Sequence, residues 1–157
     1  MQRRQFMAAA GTVALGTAAS GLAAGQQGAE VSLVDWFDGV GNLDGLVDRT
    51  GESEVTISVG SEGNGGAFGF APAAVRIDPG TTVVWEWTGN GGVHDVAAED
   101  GSFASEMKGQ AGATFERTFE ESGVVRYACN PHKSMGMRAA LVVGDVSVTL
   151  AESAATA

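Results

Sequence analysis

The chain has 157 residues, enough for one domain of ordinary size with short appendages. Nine Lys and Arg stand against 19 Asp and Glu, a formal net charge of −10, which argues against a nucleic-acid partner because phosphates demand basic surface. A single cysteine rules out an internal disulfide, a binuclear thiolate-bridged copper site and a four-cysteine zinc site, and two histidines are too few for a multicopper oxidase.

The first residues differ in composition from the rest. Met1 to Ala29 contains no acidic residue, and all 19 follow it. Arg3-Arg4-Gln5-Phe6-Met7 precedes a small-residue apolar run from Ala8 to Ala24, the pattern of an export signal over residues 1–24. The paired arginines with Phe6 behind them resemble a twin-arginine signal. The alternative is a membrane anchor, including an uncleaved signal, although a run of about 17 Ala- and Gly-rich residues is at the lower limit for crossing a bilayer. Without Arg3 and Arg4 the formal charge falls to about −12. Such an excess with only two lysines suits solubility in concentrated salt, where a Debye length of about 3 Å at 1 M would screen long-range steering.

Residues 25–54 read as an acidic extension. In it Trp36, Phe37, Val40, Leu43, Leu46 and Val47 recur at helical spacing while Gly39, Gly41 and Gly45 interrupt. Short helical turns packing on the domain are expected. From Val55 the period changes to two. Val55, Ile57 and Val59 alternate with polar residues, Asp78-Pro79-Gly80 marks a turn, and Thr81 to Thr88 reads as a strand. Gly60 to Gly69 reads as a glycine-rich connection without the lysine of a phosphate-binding loop. Strands follow at Val93–Ala97, around Phe115–Phe119, at Val125–Cys129, Ala139–Val143 and Val146–Leu150. The expected fold is all-β, an antiparallel β-sandwich over residues 55–150, with a frayed tail at 151–157.

The chemistry concentrates in Tyr127-Ala128-Cys129-Asn130-Pro131-His132-Lys133-Ser134-Met135-Gly136-Met137, with His94 35 residues upstream of the cysteine. One thiolate, two imidazoles and a nearby thioether are the donor set of a mononuclear blue-copper electron-transfer centre. Each residue alone has a plainer reading, such as a buried thiol, a loop histidine or a gap-filling methionine. A cysteine–histidine nucleophile and a structural zinc site are further alternatives. The first lacks an orienting third group and the second lacks closely spaced ligand pairs. Met135 and Met137 both remain candidates for the thioether.

The stretch from Tyr127 to Met137 resembles the copper loop of plastocyanin-like cupredoxins. The segments Trp36-Phe37-Asp38, Asp78-Pro79-Gly80-Thr81, Val84-Trp85-Glu86-Trp87, Gly92-Val93-His94-Asp95-Val96 and Glu120-Glu121-Ser122-Gly123 resemble those of the halocyanins, small blue-copper proteins of halophilic archaea. The resemblance implies a Greek-key sandwich and one type 1 copper cycling between Cu(I) and Cu(II). The implied ligands are His94, Cys129 and His132, with axial Met137 at the plastocyanin-type spacing rather than Met135 at the amicyanin-type spacing. It further implies a monomeric mobile carrier rather than an enzyme, without a small-molecule substrate, serving membrane-bound or soluble redox proteins transiently outside the cytoplasmic membrane. Val93, Pro131 and Met135 are candidates for a docking patch around His132. Asp95 stands where asparagine is frequent, which puts a carboxylate beside the ligands, and Pro131 has no N–H to offer the sulfur. A copper-transfer protein without redox turnover is the alternative.

Overall fold

A computed structural model describes residues 30–151. The expected export signal and all of the expected tail but Ala151 lie outside the described residues. Among those described, no helix is long and apolar enough to cross a membrane.

The regular elements of the described chain are strands apart from one short 3-10 helix: β1 (Glu30–Ser32), β2 (Val47–Asp48), β3 (Glu54–Gly63), β4 (Gly66–Ala71), β5 (Ala74–Ile77), β6 (Thr81–Trp87), β7 (Ala97–Ala98), β8 (Thr114–Phe119), β9 (Gly123–Ala128), β10 (Arg138–Val143) and β11 (Ser147–Thr149). They form a five-stranded sheet in the order β2-β5-β10-β9-β7, a four-stranded sheet in the order β4-β3-β6-β8, and a β1–β11 ribbon. The all-β sandwich expected from the alternating pattern is present. The sheets, however, are mixed rather than purely antiparallel: β10 and β2 both run parallel to β5, and β3 runs parallel to β6. From β4 to β9 the chain passes from one sheet to the other at each step. Sequence neighbours are then seldom sheet neighbours, and parallel partners become possible without a helical crossover.

Period-two alternation decides what each sheet buries. Val55, Ile57, Val59, Val83, Trp85, Trp87, Tyr127, Cys129, Met137, Leu141 and Val143 fill the space between the two large sheets. Trp85 lies within 5.3–6.2 Å of Phe103, Phe115, Phe119 and Tyr127, an aromatic cluster in tilted and edge-on arrangements. The opposite face of the five-stranded sheet is also covered. There Ala74, Ala128 and Ala140 make a floor of small side chains that receives Leu33, Trp36, Phe37 and Val40. Residues 34–39 are successive turns, with Phe37 N–H bonded to Leu33 O at 3.0 Å and Val40 N–H to Phe37 O at 3.0 Å. The indole Nε1 of Trp36 donates to the buried carbonyl of Ala139 at 2.8 Å.

Two local expectations fail. The glycine-rich stretch 60–69 is not a loop: β3 and β4 continue through it as a bulged antiparallel hairpin. Its tip is Asn64-Gly65, with φ of 59° and 90°, the positive-φ pair that a tight hairpin requires. The expected strand Val93–Ala97 shrinks to single bridges, His94 to Lys108 and Ala97 to Ala104, followed by the two-residue β7.

Candidate metal centre

His94, Cys129 and His132 reach one end of the sandwich from separate segments. Cys129 directly follows β9, whose alternation turns Tyr127 and Cys129 inward. After it the chain makes a short 3-10 helix, Asn130–Met135, instead of an irregular loop. Pro131 near its start fixes φ without costing a helical hydrogen bond. The turn is closed by His132 N–H to Cys129 O at 3.1 Å, Met137 N–H to His132 O at 3.2 Å and Cys129 N–H to Met137 O at 3.1 Å. Gly136 ends it at φ 113°. A Cβ there would lie 2.8 Å from Gly39 O and against the Asn64 amide, so a side chain has no room.

Three donor atoms converge. The Nδ1 atoms of His94 and His132 are 3.1 Å apart, and Cys129 Sγ is 3.7 Å and 3.4 Å from them. All three atoms lie within 4.8 Å of one another. Such separations suit donors that each bind one ion at about 2.0–2.3 Å. A thiolate with two imidazoles is a soft set that copper accepts in both oxidation states.

The tautomer of His94 is set by its neighbour. Its Nε2 is 2.8 Å from the Asn90 carbonyl, which can only accept, so Nε2 carries the proton and Nδ1 keeps its lone pair for a metal. The ring is fully buried and walled by backbone. A Cβ on Gly91 (φ +81°) would collide with Ala67 O and come within 2.9 Å of Nε2, and one on Gly60 (φ +90°) would lie 2.8 Å from Asn90 O. Only glycine combines that closeness with positive φ.

Burial above all pushes the Cys129 thiol pKa up and the nearby Asp95 carboxylate adds to it, while the backbone N–H groups of Asp95 and His132 oppose them. Burial and the neighbouring His94 push the His132 pKa down, with Asp95 acting the other way. The metal-free centre therefore keeps its thiol proton and favours a neutral His132 imidazole, and a metal displaces the thiol proton on binding.

Met137 is fully buried in the same core cluster as Cys129, whereas Met135 is 44% exposed. The thioether that the resemblance favours is thus the one inside. Asp95 is buried, and its two carboxylate oxygens accept from Asn130 N–H at 2.7 Å and Asn130 Nδ2 at 2.8 Å. It clamps the residue after Cys129 to the one after His94. Val93 is 52% exposed, Pro131 is exposed and His132 is half-buried.

Several contributors escaped the sequence reading. Phe68 packs on His132 with ring centroids 4.6 Å apart. Asn64 accepts from Gly41 N–H at 2.7 Å and donates to Phe68 O at 2.7 Å and Gly136 O at 3.0 Å, joining the hairpin, the N-terminal extension and the 3-10 turn. The Asn64-Gly65 pair was the available signal, hidden by the glycines around it. Arg138, which follows Met137, bonds to three backbone carbonyls.

A family model described as copper binding proteins, plastocyanin/azurin family, matches residues 55–144. The chain belongs to this family of copper-binding proteins. Among plastocyanin/azurin relatives, a halocyanin from Natronomonas pharaonis is 48% identical over 101 residues, covering 62% of this chain and 61% of that one. A pseudoazurin from Methylorubrum extorquens is 37% identical over 97 residues, covering 59% and 63%. The chain thus spans about three-fifths of the length of each of these curated relatives. Among solved structures, a purple cupredoxin from Nitrosopumilus maritimus aligns with a TM-score of 0.47 at 27% identity, over 59% of this chain and all of that one. Copper is the family's metal, and the donor set described above fits it.

Proposed function

We propose that the protein is a mobile one-electron carrier. In this reading His94, Cys129 and His132 would hold a single type 1 copper and Met137 would supply the thioether. The convergence of two imidazole Nδ1 atoms and one thiol within 4.8 Å, with His94 and Cys129 buried, carries the reading. Bound there, copper would supply a one-electron couple between Cu(I) and Cu(II). The chain's own part is to keep the donors still. The Asn90 carbonyl fixes the His94 ring, the Asp95–Asn130 pair fixes the start of the turn, and the Cys129–Met137 backbone bond closes it. A donor set that cannot rearrange lowers the reorganisation that accompanies each electron. The burial of His94 and Cys129 also argues against a copper-transfer protein, which needs ligands that a partner can reach. An enzyme using Cys129 as nucleophile would need a thiol open to substrate.

His132 is the electron port of this proposal, with exposed Val93, Pro131 and Met135 around it as a docking patch for transient redox partners. Residues 1–24 would direct export, so that the carrier works outside the cytoplasmic membrane, free or anchored by an uncleaved signal. N-terminal sequencing of protein recovered from the cell exterior and from membranes tests the location. For the centre, Cu(II)-loaded protein is expected to show an intense thiolate-to-copper charge-transfer band that bleaches on reduction and returns on oxidation. A colourless product, or colour that survives Cys129→Ala, would refute the carrier.

A further inference from the structure

Arg138 follows the proposed axial ligand, and strand alternation sends the two side chains to opposite faces of the five-stranded sheet. Met137 goes inward with Ala139 and Leu141, and Arg138 goes outward beside Ala140, over which Trp36 packs. There the guanidinium meets three backbone carbonyls. Nε donates to Trp36 O at 2.8 Å, Nη2 donates to Asp38 O, and Nη1 donates to Lys133 O at 2.8 Å. The first two acceptors belong to the N-terminal extension and the third lies inside the 3-10 turn between His132 and Met137. The Trp36 ring lies alongside, with the Lys133 ammonium 5.4 Å and the Arg138 guanidinium 6.0 Å from its centroid, but the three bonds are made to carbonyls and not to the ring. Residues 36–38 lie outside the span matched by the copper-binding family, 55–144.

We infer that Arg138 is a positioning residue of the metal centre: by bonding Lys133 O to the carbonyls of Trp36 and Asp38, it makes the N-terminal extension an outer brace that fixes the turn carrying His132 and Met137. The inference rests on the copper reading for its effect on the metal, but its effect on the turn does not depend on metal. Lys133 O also accepts the Gly136 N–H at 3.1 Å, and His132 O accepts the Met137 N–H at 3.2 Å, so the brace acts on a carbonyl that already shapes the turn. Only a planar fork with donors on three nitrogens reaches three separate carbonyls. Lysine keeps the charge but cannot hold them together, so it separates positioning from electrostatics.

The test compares full-length wild type with Arg138→Lys and Trp36→Phe. The phenylalanine removes the indole bond to Ala139 O and leaves all three acceptors of Arg138 in place. In the copper-loaded protein, Arg138→Lys is expected to shift the pattern of charge-transfer bands and to release Cu(I) to a chelator about tenfold faster, the usual scale for losing a partner that orients ligands. In wild type and variant without metal, the Gly136 and Met137 amides are expected to exchange with solvent faster in Arg138→Lys. Trp36→Phe is expected to lower the melting temperature while bands, release and exchange stay as in wild type. Wild-type bands, release and exchange in Arg138→Lys would overturn the inference, and so would equal changes in both variants, since those would mark general loosening of the extension. A wild-type chain that takes up no copper would refute the carrier reading instead, and amide exchange in the metal-free proteins would still decide the role of Arg138. If Arg138→Lys does not fold, the Arg138 Nε–H of wild type serves: slow exchange supports the brace and fast exchange overturns it.

Discussion

The two halves of the candidate centre are held by different means. His94 sits in a cage of backbone, formed by Gly60, Gly91 and the Asn90 carbonyl. Cys129, His132 and Met137 lie on one turn that closes through its own backbone bonds and is tied to its surroundings by side chains: Asp95 on Asn130, Asn64 on Gly136, and Arg138 on Lys133. A backbone cage tolerates no added atom at its walls. A turn held by side chains loses its ties one at a time. The first half should therefore fail all at once, and the second by degrees.

The largest effect is expected at the cage. Gly91→Ala puts a methyl against Ala67 O and His94 Nε2 at a positive φ, so His94 must move. Unfolding free energy should fall by about 2–4 kcal/mol in denaturant titration, and the blue band should be lost or strongly weakened. A variant with wild-type stability and colour would dissolve the contrast between the halves.

Next comes the clamp. Asp95→Ala strips acceptors from Asn130 N–H and Nδ2, at a cost of about 1–3 kcal/mol. The blue band should persist but shift. Asp95→Asn keeps one acceptor for the backbone N–H, and the Asn130 amide can turn to face it, so its loss of stability should be the smaller of the two. Equal losses would show that the charge, and not the hydrogen bonds, holds the turn.

Within the turn, Met137→Leu should shift the midpoint potential measured by voltammetry far more than Met135→Leu, because Met137 is buried beside Cys129 and Met135 is 44% exposed. The reverse order would move the axial donor to Met135. Smallest of all, Tyr127→Phe removes a core hydroxyl that lacks a well-formed hydrogen bond among the described residues, its polar neighbour being the Trp85 indole. It should change stability by less than about 1 kcal/mol and leave the spectrum as it was.

The strand pattern was legible because period-two burial is written directly in Val55–Val59, Thr81–Trp87 and Val125–Cys129. The hairpin at 60–69 was not, since half of its residues are glycine and carry little alternation for a pattern to register. Parallel pairing was equally hidden, because alternation fixes which face a residue takes and not which strand lies beside it. At the centre, Cys129 and His132 could be grouped from spacing alone. The contributions of Asn64, Phe68, Asn90 and Arg138 could not, since Asn64, Phe68 and Arg138 act across a distance in sequence and Asn64, Asn90 and Arg138 act on or through backbone carbonyls that no side-chain motif encodes.

The sequence by itself determined the chemistry available to this protein: one thiol, two imidazoles and a few thioethers on an alternating all-β chain, which confines it to a single soft-donor site. Tertiary structure decided which atoms meet. It turned His94 Nδ1 toward the sulfur by giving Nε2 a carbonyl, buried Met137 while leaving Met135 in solvent, and laid residues 36–38 against the turn through Arg138. Donor identity is a property of residues one at a time. Donor geometry belongs to the packing between segments far apart in the chain, which no local pattern records.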